Sequence, residues 1–368
     1  MKVLVSQLKE GCILSEDINL KGTQPFMRKK TVLTARHLEV LRAFLIREVT
    51  IEPLLASGEY FKGGKEDEEH QKQEQSRKPS SSGINMSEEP FLNTYLKAVR
   101  QFKAMYKTWE AGAQIDIVKV REVLIPLFTV SETAGNEVFH LHHYSTPDDY
   151  LYHHSVATGL ISSFLARKLN YAKADMLNIG LAGALSDIGM IKLPIRTINK
   201  PGLLTEQEYE KVKQHPILSY KMIRSLNLLP ESVKLAVLQH HERLDGSGYP
   251  MGSSGLKIHI YSRIISLADV YHAMTTERVY HQKQSPFRAI EAIRKEHFGQ
   301  FDPEVMQLLQ KSIITFSPGT EVKLSNSEKG NIMYIDQVNP TRPIIKLSGS
   351  GELMKLADHP ELYIDEVI

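Results

Sequence analysis

The stretch from His240 to Pro250, HHERLDGSGYP, constrains this chain more than any other. Two adjacent histidines end an apolar, helix-like run, SVKLAVLQ, and a glycine-broken loop follows directly. Paired imidazoles suit a transition metal, because each offers a nitrogen lone pair at neutral pH. Gly246 and Gly248 let the backbone approach a ligand closely. An isolated HH pair is more often a helix end with one buried and one exposed histidine, so the flanking helices decide whether a site is present.

Further histidines and aspartates stand singly within the other apolar, helix-like segments. His154 lies early in YLYHHSVATGLISSFLARKL, and Asp187 ends the run ADMLNIGLAGALSD. His215 lies in KVKQHPILSYKMI, and Asp269 interrupts ISLADVYHAM. A carboxylate buried in an apolar helix is costly unless it is paired or binds a metal. Because helical bundles build metal sites from such inward-facing side chains, the set predicts a metal site with nitrogen and oxygen ligands.

Composition narrows the class of protein. The 368 residues are 42% hydrophobic and 24% charged, and 45 basic residues against 43 acidic ones give a formal charge of +2. This balance is typical of a globular protein and argues against one that coats nucleic acid. Cys12 is the single cysteine, which excludes a thiolate metal cage and fits a reducing compartment. No apolar run approaches the roughly 18 residues of a membrane span, and the first residues lack a signal-peptide core, so we expect a cytoplasmic protein.

Residue periodicity divides the chain into four predicted parts. Residues 1–55 alternate strand-like and helix-like segments and predict a small α+β domain. Residues 56–91 are polar and poor in aliphatic side chains, which predicts a flexible linker. Helical spacing dominates 92–315, and short strands separated by turn residues fill 316–368. The predicted fold class is therefore mainly α, a helical bundle with small N-terminal α+β and C-terminal β appendages.

The signature at 240–250 resembles that of the HD-GYP family, a branch of the HD phosphohydrolase superfamily whose members hydrolyse cyclic di-GMP. It matches the pattern HHE-x-x-DG-x-GYP at every specified position. Similar stretches elsewhere are NKPGLLTEQEYEKVKQHP, RIISLADVYHAMTT and FGQFDPEV, so the resemblance covers about 140–315. It implies an HD-type helical bundle with a metal centre. For this chain we expect one or two divalent transition-metal ions, with iron and manganese favoured.

Matched position by position, the resemblance also implies roles for individual residues. Asp187, the aspartate of the HD pair, is expected to bridge the ions and to be catalytic. The loop that carries Gly246, Gly248 and Tyr249 is expected to hold the substrate, and Arg278 resembles an arginine that contacts its phosphate. The full set of expected metal ligands is His154, Asp187, His215, His240, His241 and Asp269.

The sequence departs from the family pattern at the HD pair itself. Ser186 replaces the histidine, and Met190 replaces an expected lysine. Tyr150 stands where three-metal members carry glutamate, and the usual RPY-basic run reads RVYH at 278–281. A serine hydroxyl is a poor neutral ligand, and loss of an electrostatic stabiliser costs on the order of 10²–10³ in rate. We therefore predict a weakened second ion and slow turnover. His153 offers a replacement ligand, although adjacent helical positions point in different directions.

Two functions follow from these departures. The first is a metal-dependent cyclic di-GMP phosphodiesterase of reduced activity. The second is a catalytically inactive relative that binds cyclic di-GMP or a protein partner, with the GYP loop as the contact surface. The altered HD pair favours the second, whereas the six retained ligands favour metal chemistry, because unused buried His and Asp residues are costly. A metal-free helical scaffold is disfavoured, neither nucleic acid nor a membrane is expected as a partner, and a homodimer is left open.

Overall fold

The computed structural model describes residues 1–19, 25–62, 91–198, 200, 202–276 and 284–368. The described residues are mostly helical, with small N-terminal strands and a C-terminal sheet, which confirms the predicted mainly α class. The chain divides into two compact units. The first comprises Met1–Gly135 with His140–Val156, and the second comprises Asn136–Phe139 with Ala157–Ile368.

The first unit begins with a small α+β fold. Helix α1 starts after Thr34, whose hydroxyl accepts the N–H of His37, and it buries Leu38 and Leu41. The same fold has two antiparallel strand pairs, β1 with β4 and β2 with β3. The elements are β1 (Lys2–Leu4), β2 (Ile18–Asn19), β3 (Pro25–Met27), α1 (Ala35–Ala43) and β4 (Glu48–Thr50).

The packed structure of this fold continues past residue 55. Phe61 belongs to the same buried cluster as Leu38 and Leu41. Gly58 lies so close to a neighbouring helix that a Cβ there would be 2.1 Å from the carbonyl oxygen of Leu96. The start of the predicted linker is thus part of the N-terminal fold, because its few apolar residues are buried there. The remainder, 63–90, lies outside the described residues.

Helices complete the first unit. Helix α3 begins after Asp116, whose carboxylate accepts the N–H groups of Val118 and Lys119. Trp109 is buried near the end of α2, with its ring edge-on to Phe102. The helices are α2 (Phe91–Glu110), α3 (Ile117–Ala134) and the first residues of α4 (Tyr150–Lys168).

The second unit contains the remainder of α4 and eight further described helices. Helices α4 and α5 approach closely at glycines, since a Cβ on Gly159 would lie 2.6 Å from the carbonyl oxygen of Gly180. Helix α9 contacts α5, α8 and α10. The helices are α5 (Lys173–Leu185), α6 (Ile195–Ile198), α7 (Glu206–Val212), α8 (His215–Ile223), α9 (Glu231–Gln239), α10 (Ile260–Thr275), α11 (Pro286–Glu296) and α12 (Pro303–Ile313).

One stretch of the described chain, Lys173–Lys192, is long and apolar enough to cross a membrane by length and composition alone. A stretch of this length contradicts the expectation that no apolar run approaches the length of a membrane span. In the structure 61% of its most apolar window is buried, and a core helix meets the same criteria. The stretch therefore does not establish a membrane span.

The predicted C-terminal β appendage is a five-stranded antiparallel sheet with the order β8-β7-β6-β5-β9. It is held to α11 by Arg342, which donates to both carboxylate oxygens of Glu291 at 2.7 and 2.5 Å. Ser285, just before α11, donates its hydroxyl to the carbonyl of Ile364. The strands are β5 (Glu321–Leu324), β6 (Lys329–Tyr334), β7 (Ile344–Leu347), β8 (Leu353–Lys355) and β9 (Ile364–Val367).

Candidate metal centre

Four of the predicted ligands converge in the second unit. Asp187 follows α5, His215 begins α8, and His240 and His241 follow α9. Each offers one ligand atom, and these four atoms all lie within 4.8 Å of one another. His215 and His240 are buried, whereas the side chains of Asp187 and His241 are 15% and 17% exposed. Solvent therefore reaches this group of ligand atoms at Asp187 and His241.

The spacing of the ligand atoms fits a metal ion. The Nε2 atom of His215 lies 3.1 Å from Oδ1 of Asp187 and 3.2 Å from Nε2 of His240. The Nε2 atom of His240 lies 3.5 Å from the same Asp187 oxygen. Ligand atoms bound tetrahedrally at about 2.0–2.1 Å from an ion lie about 3.3 Å from one another. The three distances match the edges of such a coordination shell.

Hydrogen bonds orient two of these imidazoles. Nδ1 of His215 lies 2.7 Å from the carbonyl oxygen of Val212, and Nδ1 of His240 lies 2.7 Å from that of Val237. Because a carbonyl oxygen only accepts, both Nδ1 atoms carry a proton, which leaves each Nε2 with a lone pair when the ring is neutral. Metal-binding histidines are characteristically held in this way by their second nitrogen. Two lone pairs and a carboxylate oxygen thus face one point, where a cation is favoured.

The electrostatics of the pocket agree with this arrangement. Burial lowers the pKa of His241 well below its ordinary value, and the nearby His240 and His215 lower it further, so the imidazole is neutral as a ligand must be. Burial also opposes protonation of His215, but the hydrogen bond and the charge of Asp187 outweigh it and raise the pKa of His215. Asp187 is therefore the group that attracts positive charge to the pocket.

Asp269 and Ser186 lie beside this group of four. Asp269, in α10, is buried, and its Oδ2 lies 3.7 Å from Nδ1 of His241. Ser186 is 2% exposed and donates its hydroxyl to the carbonyl of Ala182, 2.8 Å away in its own helix. The residue at the expected histidine position thus directs its proton back into α5.

His154 and its neighbour His153 lie in the part of α4 that belongs to the first unit. The buried ring of His154 stacks on Tyr150, with centroids 5.2 Å apart. His153 is fully buried, with Nε2 3.2 Å from the carbonyl of Ala56 and Nδ1 3.0 Å from the Tyr95 hydroxyl. The carbonyl requires a proton on Nε2, so Nδ1 accepts from Tyr95. Both ring nitrogens of His153 form hydrogen bonds, so the prediction that His153 replaces the missing ligand is wrong.

The glycine loop lies directly beside the ligand pair. Gly246 has φ +83°, a conformation that favours glycine. A Cβ on Gly248 would lie 2.4 Å from both the backbone N of Arg243 and the carbonyl oxygen of His241. Tyr249 donates its N–H to that carbonyl, and its ring lies 4.7 Å from the His241 ring. The loop is thus folded onto the ligands, while Arg278 lies outside the described residues.

Glu242 is a residue to which sequence reasoning assigned no role. It is 2% exposed, and its carboxylate accepts the backbone N–H groups of Met251 and Ser253 at 2.8 Å each. The available signal was an acidic residue between a buried histidine pair and a glycine-rich loop. Buried carboxylates need hydrogen-bond donors, and a nearby loop supplies them as backbone N–H groups.

Comparisons with known proteins agree with this geometry. Residues 145–305 match a family model described as an HD domain. The chain is 32% identical over 232 residues to a Pseudomonas aeruginosa protein named cyclic di-GMP phosphodiesterase, covering 62% of this chain and 55% of that one. It is 31% identical over 160 residues to a 3'3'-cGAMP-specific phosphodiesterase of Vibrio cholerae, covering 44% and 35%. A solved HDG"Y"P protein of Bdellovibrio bacteriovorus has a similar fold, with a TM-score of 0.50 at 15% identity over 84% of this chain and 98% of that one.

Residues 145–305 therefore match an HD domain, and within them Asp187, His215, His240 and His241 are grouped closely enough to hold a metal ion. The complete HHE-x-x-DG-x-GYP signature in this region, together with the relatives, confirms the resemblance to the HD-GYP family. The chain spans about half the length of the first curated relatives it matches, 55%, 50% and 43%.

Proposed function

We propose that this chain is a metal-dependent phosphodiesterase of reduced activity that opens cyclic di-GMP. The observation that carries the proposal is that ligand atoms of His215, His240 and Asp187 converge on one point. Two Nε2 lone pairs and one carboxylate oxygen lie 3.1–3.5 Å apart, and each Nδ1 proton is donated to a backbone carbonyl. Such a set, with its second ring nitrogens held by the backbone, is prepared for a divalent ion.

The chain's own residues divide the expected work between them. Asp187, His215, His240 and His241 would hold one ion, and His154 and Asp269 are proposed to extend the site to a second ion that shares Asp187. Iron and manganese suit this nitrogen and oxygen set. A bound divalent ion supplies charge that polarises a phosphoryl oxygen and lowers the pKa of water. The loop residues Gly246, Gly248 and Tyr249, together with Arg278, are proposed to hold the cyclic dinucleotide.

Reduced activity follows from two positions near the pocket. Ser186 supplies no imidazole, and its hydroxyl is bonded to its own helix. Met190 supplies no positive charge where the family pattern has lysine. Loss of one electrostatic stabiliser costs on the order of 10²–10³ in rate. The expected enzyme therefore turns over slowly and holds the second ion weakly.

Turnover of cyclic di-GMP under anaerobic conditions tests this proposal. The protein is loaded with Fe²⁺ or Mn²⁺, and the linear dinucleotide and GMP are separated from the substrate. A 3'3'-cGAMP reaction run in parallel tests the choice of substrate. The control variant Asp187→Asn keeps the side-chain size and removes the charge that attracts the ion. Slow turnover that disappears in this variant supports the proposal, whereas no turnover by the loaded unmodified protein contradicts it.

The second candidate is a catalytically inactive receptor for cyclic di-GMP. The side chain at the expected histidine position favours this candidate. The Ser186 hydroxyl supplies no imidazole nitrogen and donates a hydrogen bond of 2.8 Å to the carbonyl of Ala182 in its own helix. Equilibrium binding of the intact dinucleotide without product formation would distinguish it from the enzyme. With either candidate function we also propose a cytoplasmic location, a protein partner that contacts the GYP loop, and a homodimer.

A further inference from the structure

The four residues QHHE at 239–242 have two different tasks in the structure. The inner pair, His240 and His241, supplies two members of the metal-ligand group. The outer pair bonds to the loop that follows. Gln239 donates its amide to the carbonyl of Lys257 at 3.1 Å and accepts the N–H of His259 at 2.9 Å. Glu242 accepts from the N–H groups of Met251 and Ser253. The pair of ligands is thus flanked on each side by a residue that anchors the loop.

The Glu242 carboxylate is well suited to its two partners. One oxygen accepts from Met251 and the other from Ser253, both at 2.8 Å, so each oxygen has a backbone donor. Hydrogen bonds to a charged acceptor are stronger than neutral ones, and burial strengthens them further. An uncompensated carboxylate at 2% exposure would be costly, so the loop and Glu242 stabilise each other. Glutamine at this position could accept with only one of its two terminal atoms.

The segment between these anchors carries Tyr249 onto His241. The N–H of Tyr249 donates to the His241 carbonyl at 3.1 Å, and the N–H of Gly246 donates to the Arg243 carbonyl at 2.8 Å. The Tyr249 ring lies 4.7 Å from the His241 ring at an interplanar angle of 31°. The His241 side chain is 17% exposed, against 0% for His240. The Tyr249 ring covers the His241 ring on the side that faces the loop.

We propose that Glu242 is a positioning residue for the metal centre. By holding the backbone at Met251 and Ser253, it fixes the 245–253 loop and thereby keeps Tyr249 against His241, so that the His241 imidazole is presented to the ion. The proposal rests on the metal site of the proposed function and is independent of which substrate that site acts on.

Co²⁺ binding to the metal-free full chain tests this role without any turnover assay. Visible absorption of bound Co²⁺ reports the geometry of its ligands, and titration gives the affinity. Glu242→Ala removes both acceptors, and Glu242→Gln keeps the side-chain size with one acceptor. Asp245→Asn is the matched control. Asp245 lies in the same loop, and the change removes one negative charge, as the Glu242 changes do. Its carboxylate accepts hydrogen bonds from the N–H and the hydroxyl of Ser247 and not from Met251 or Ser253.

We expect both Glu242 variants to bind Co²⁺ about 10–100-fold more weakly, which is the usual effect of removing a residue that supports a metal ligand without binding the metal. The absorption spectrum of the bound Co²⁺ should also change. Hydrogen exchange of the amides at 251 and 253 should rise in the same variants, while Asp245→Asn keeps the affinity and spectrum of the unmodified chain. A purely structural Glu242 would lower the unfolding midpoint and leave the Co²⁺ spectrum unchanged, which overturns the proposal.

The outcomes distinguish failure of the positioning role from failure of the proposed function. If the unmodified chain binds Co²⁺ and the Glu242 variants lose affinity, the positioning role stands even if cyclic di-GMP is never hydrolysed. An equal loss in Asp245→Asn would show that loop charge, and not the two N–H contacts, is responsible. An unmodified chain that binds no Co²⁺ would overturn both the metal centre and this role. Should Glu242→Ala fail to fold, Glu242→Gln carries the test.

Discussion

The Nε2 atoms of His215 and His240 lie 3.2 Å apart, and the Nδ1 proton of each ring is donated to the carbonyl three residues earlier in the chain. Two imidazoles with facing lone pairs repel unless a cation lies between them. The carboxylate of Asp187 lies within 3.5 Å of both nitrogens and adds negative charge at the same point. A cation at this point would therefore be attracted by all three atoms, which makes the centre testable by metal binding.

Removal of one imidazole should abolish tight binding. His240→Ala deletes a ligand that is 0% exposed and leaves Val237 without its side-chain donor. We expect Mn²⁺ affinity, measured by calorimetry, to fall by more than the 10–100-fold typical of an outer partner. His359→Ala removes a histidine from the C-terminal part, where it is 43% exposed, and should leave Mn²⁺ affinity unchanged. Equal affinity of His240→Ala and the unmodified chain would show that the ion binds elsewhere.

Restoration of the family pattern should raise activity. The double change Ser186→His and Met190→Lys supplies the missing imidazole and a cation near the phosphate. The lysine alone is expected to contribute on the order of 10²–10³ in rate. Loss of the Ser186 bond to Ala182 costs about 1 kcal/mol of folding free energy, which a thermal unfolding scan detects. Met190→Leu, which adds no charge, is the control. A folded double variant with unchanged turnover would contradict the placement of the site.

The close approach at Gly248 predicts a localised defect. A Cβ there would lie 2.4 Å from two backbone atoms, the N of Arg243 and the O of His241, which cannot rotate away as a side chain would. Gly248→Ala should therefore displace the loop, with a loss of about 1–3 kcal/mol of folding free energy and weaker metal binding. Gly349→Ala, at a glycine with open space around it and no positive φ, should be close to neutral. Chemical denaturation and calorimetry measure the two effects.

Acid stability of helix α7 should depend on Glu208. A hydrogen bond from Lys200, followed by the N–H of Thr205, lowers the pKa of Glu208 from 4.5 to about 2. Because the pKa is lower in the folded state, the stabilisation is fully present above about pH 4.5 and is lost as the pH falls towards 2. Hydrogen exchange of the α7 amides between pH 6 and 3 should show this loss, and Glu208→Gln should flatten it. The control Glu210→Gln, which removes the exposed pair with Lys213, should keep the pH profile of the unmodified chain.

Residue types and spacing determined much of the candidate centre. The single histidines and aspartates in apolar helices pointed to a nitrogen and oxygen ligand set, and His215, His240, His241 and Asp187 do converge. A helix start can also be fixed locally, as at Thr205 with Glu208, where each side chain accepts the backbone N–H of the other residue. These features are readable in sequence because they depend on side-chain chemistry and on contacts between near neighbours. The ligand roles of all six residues, and the contact between Arg278 and phosphate, stay predictions.

Only the tertiary structure decided how the neighbouring polar residues are used. His153 and Glu242 each stand next to a predicted ligand, yet His153 bonds to Ala56 and Tyr95, and Glu242 bonds to the loop at 251 and 253. Phe61 joined the N-terminal core, although its neighbours read as linker. In each case the partner lies far away in sequence or in a loop without periodicity. The sequence alone thus determined which groups could bind a metal, whereas packing between distant segments decided which nitrogen faces the pocket and what holds it there, because a buried polar group takes whichever partner the fold brings within reach.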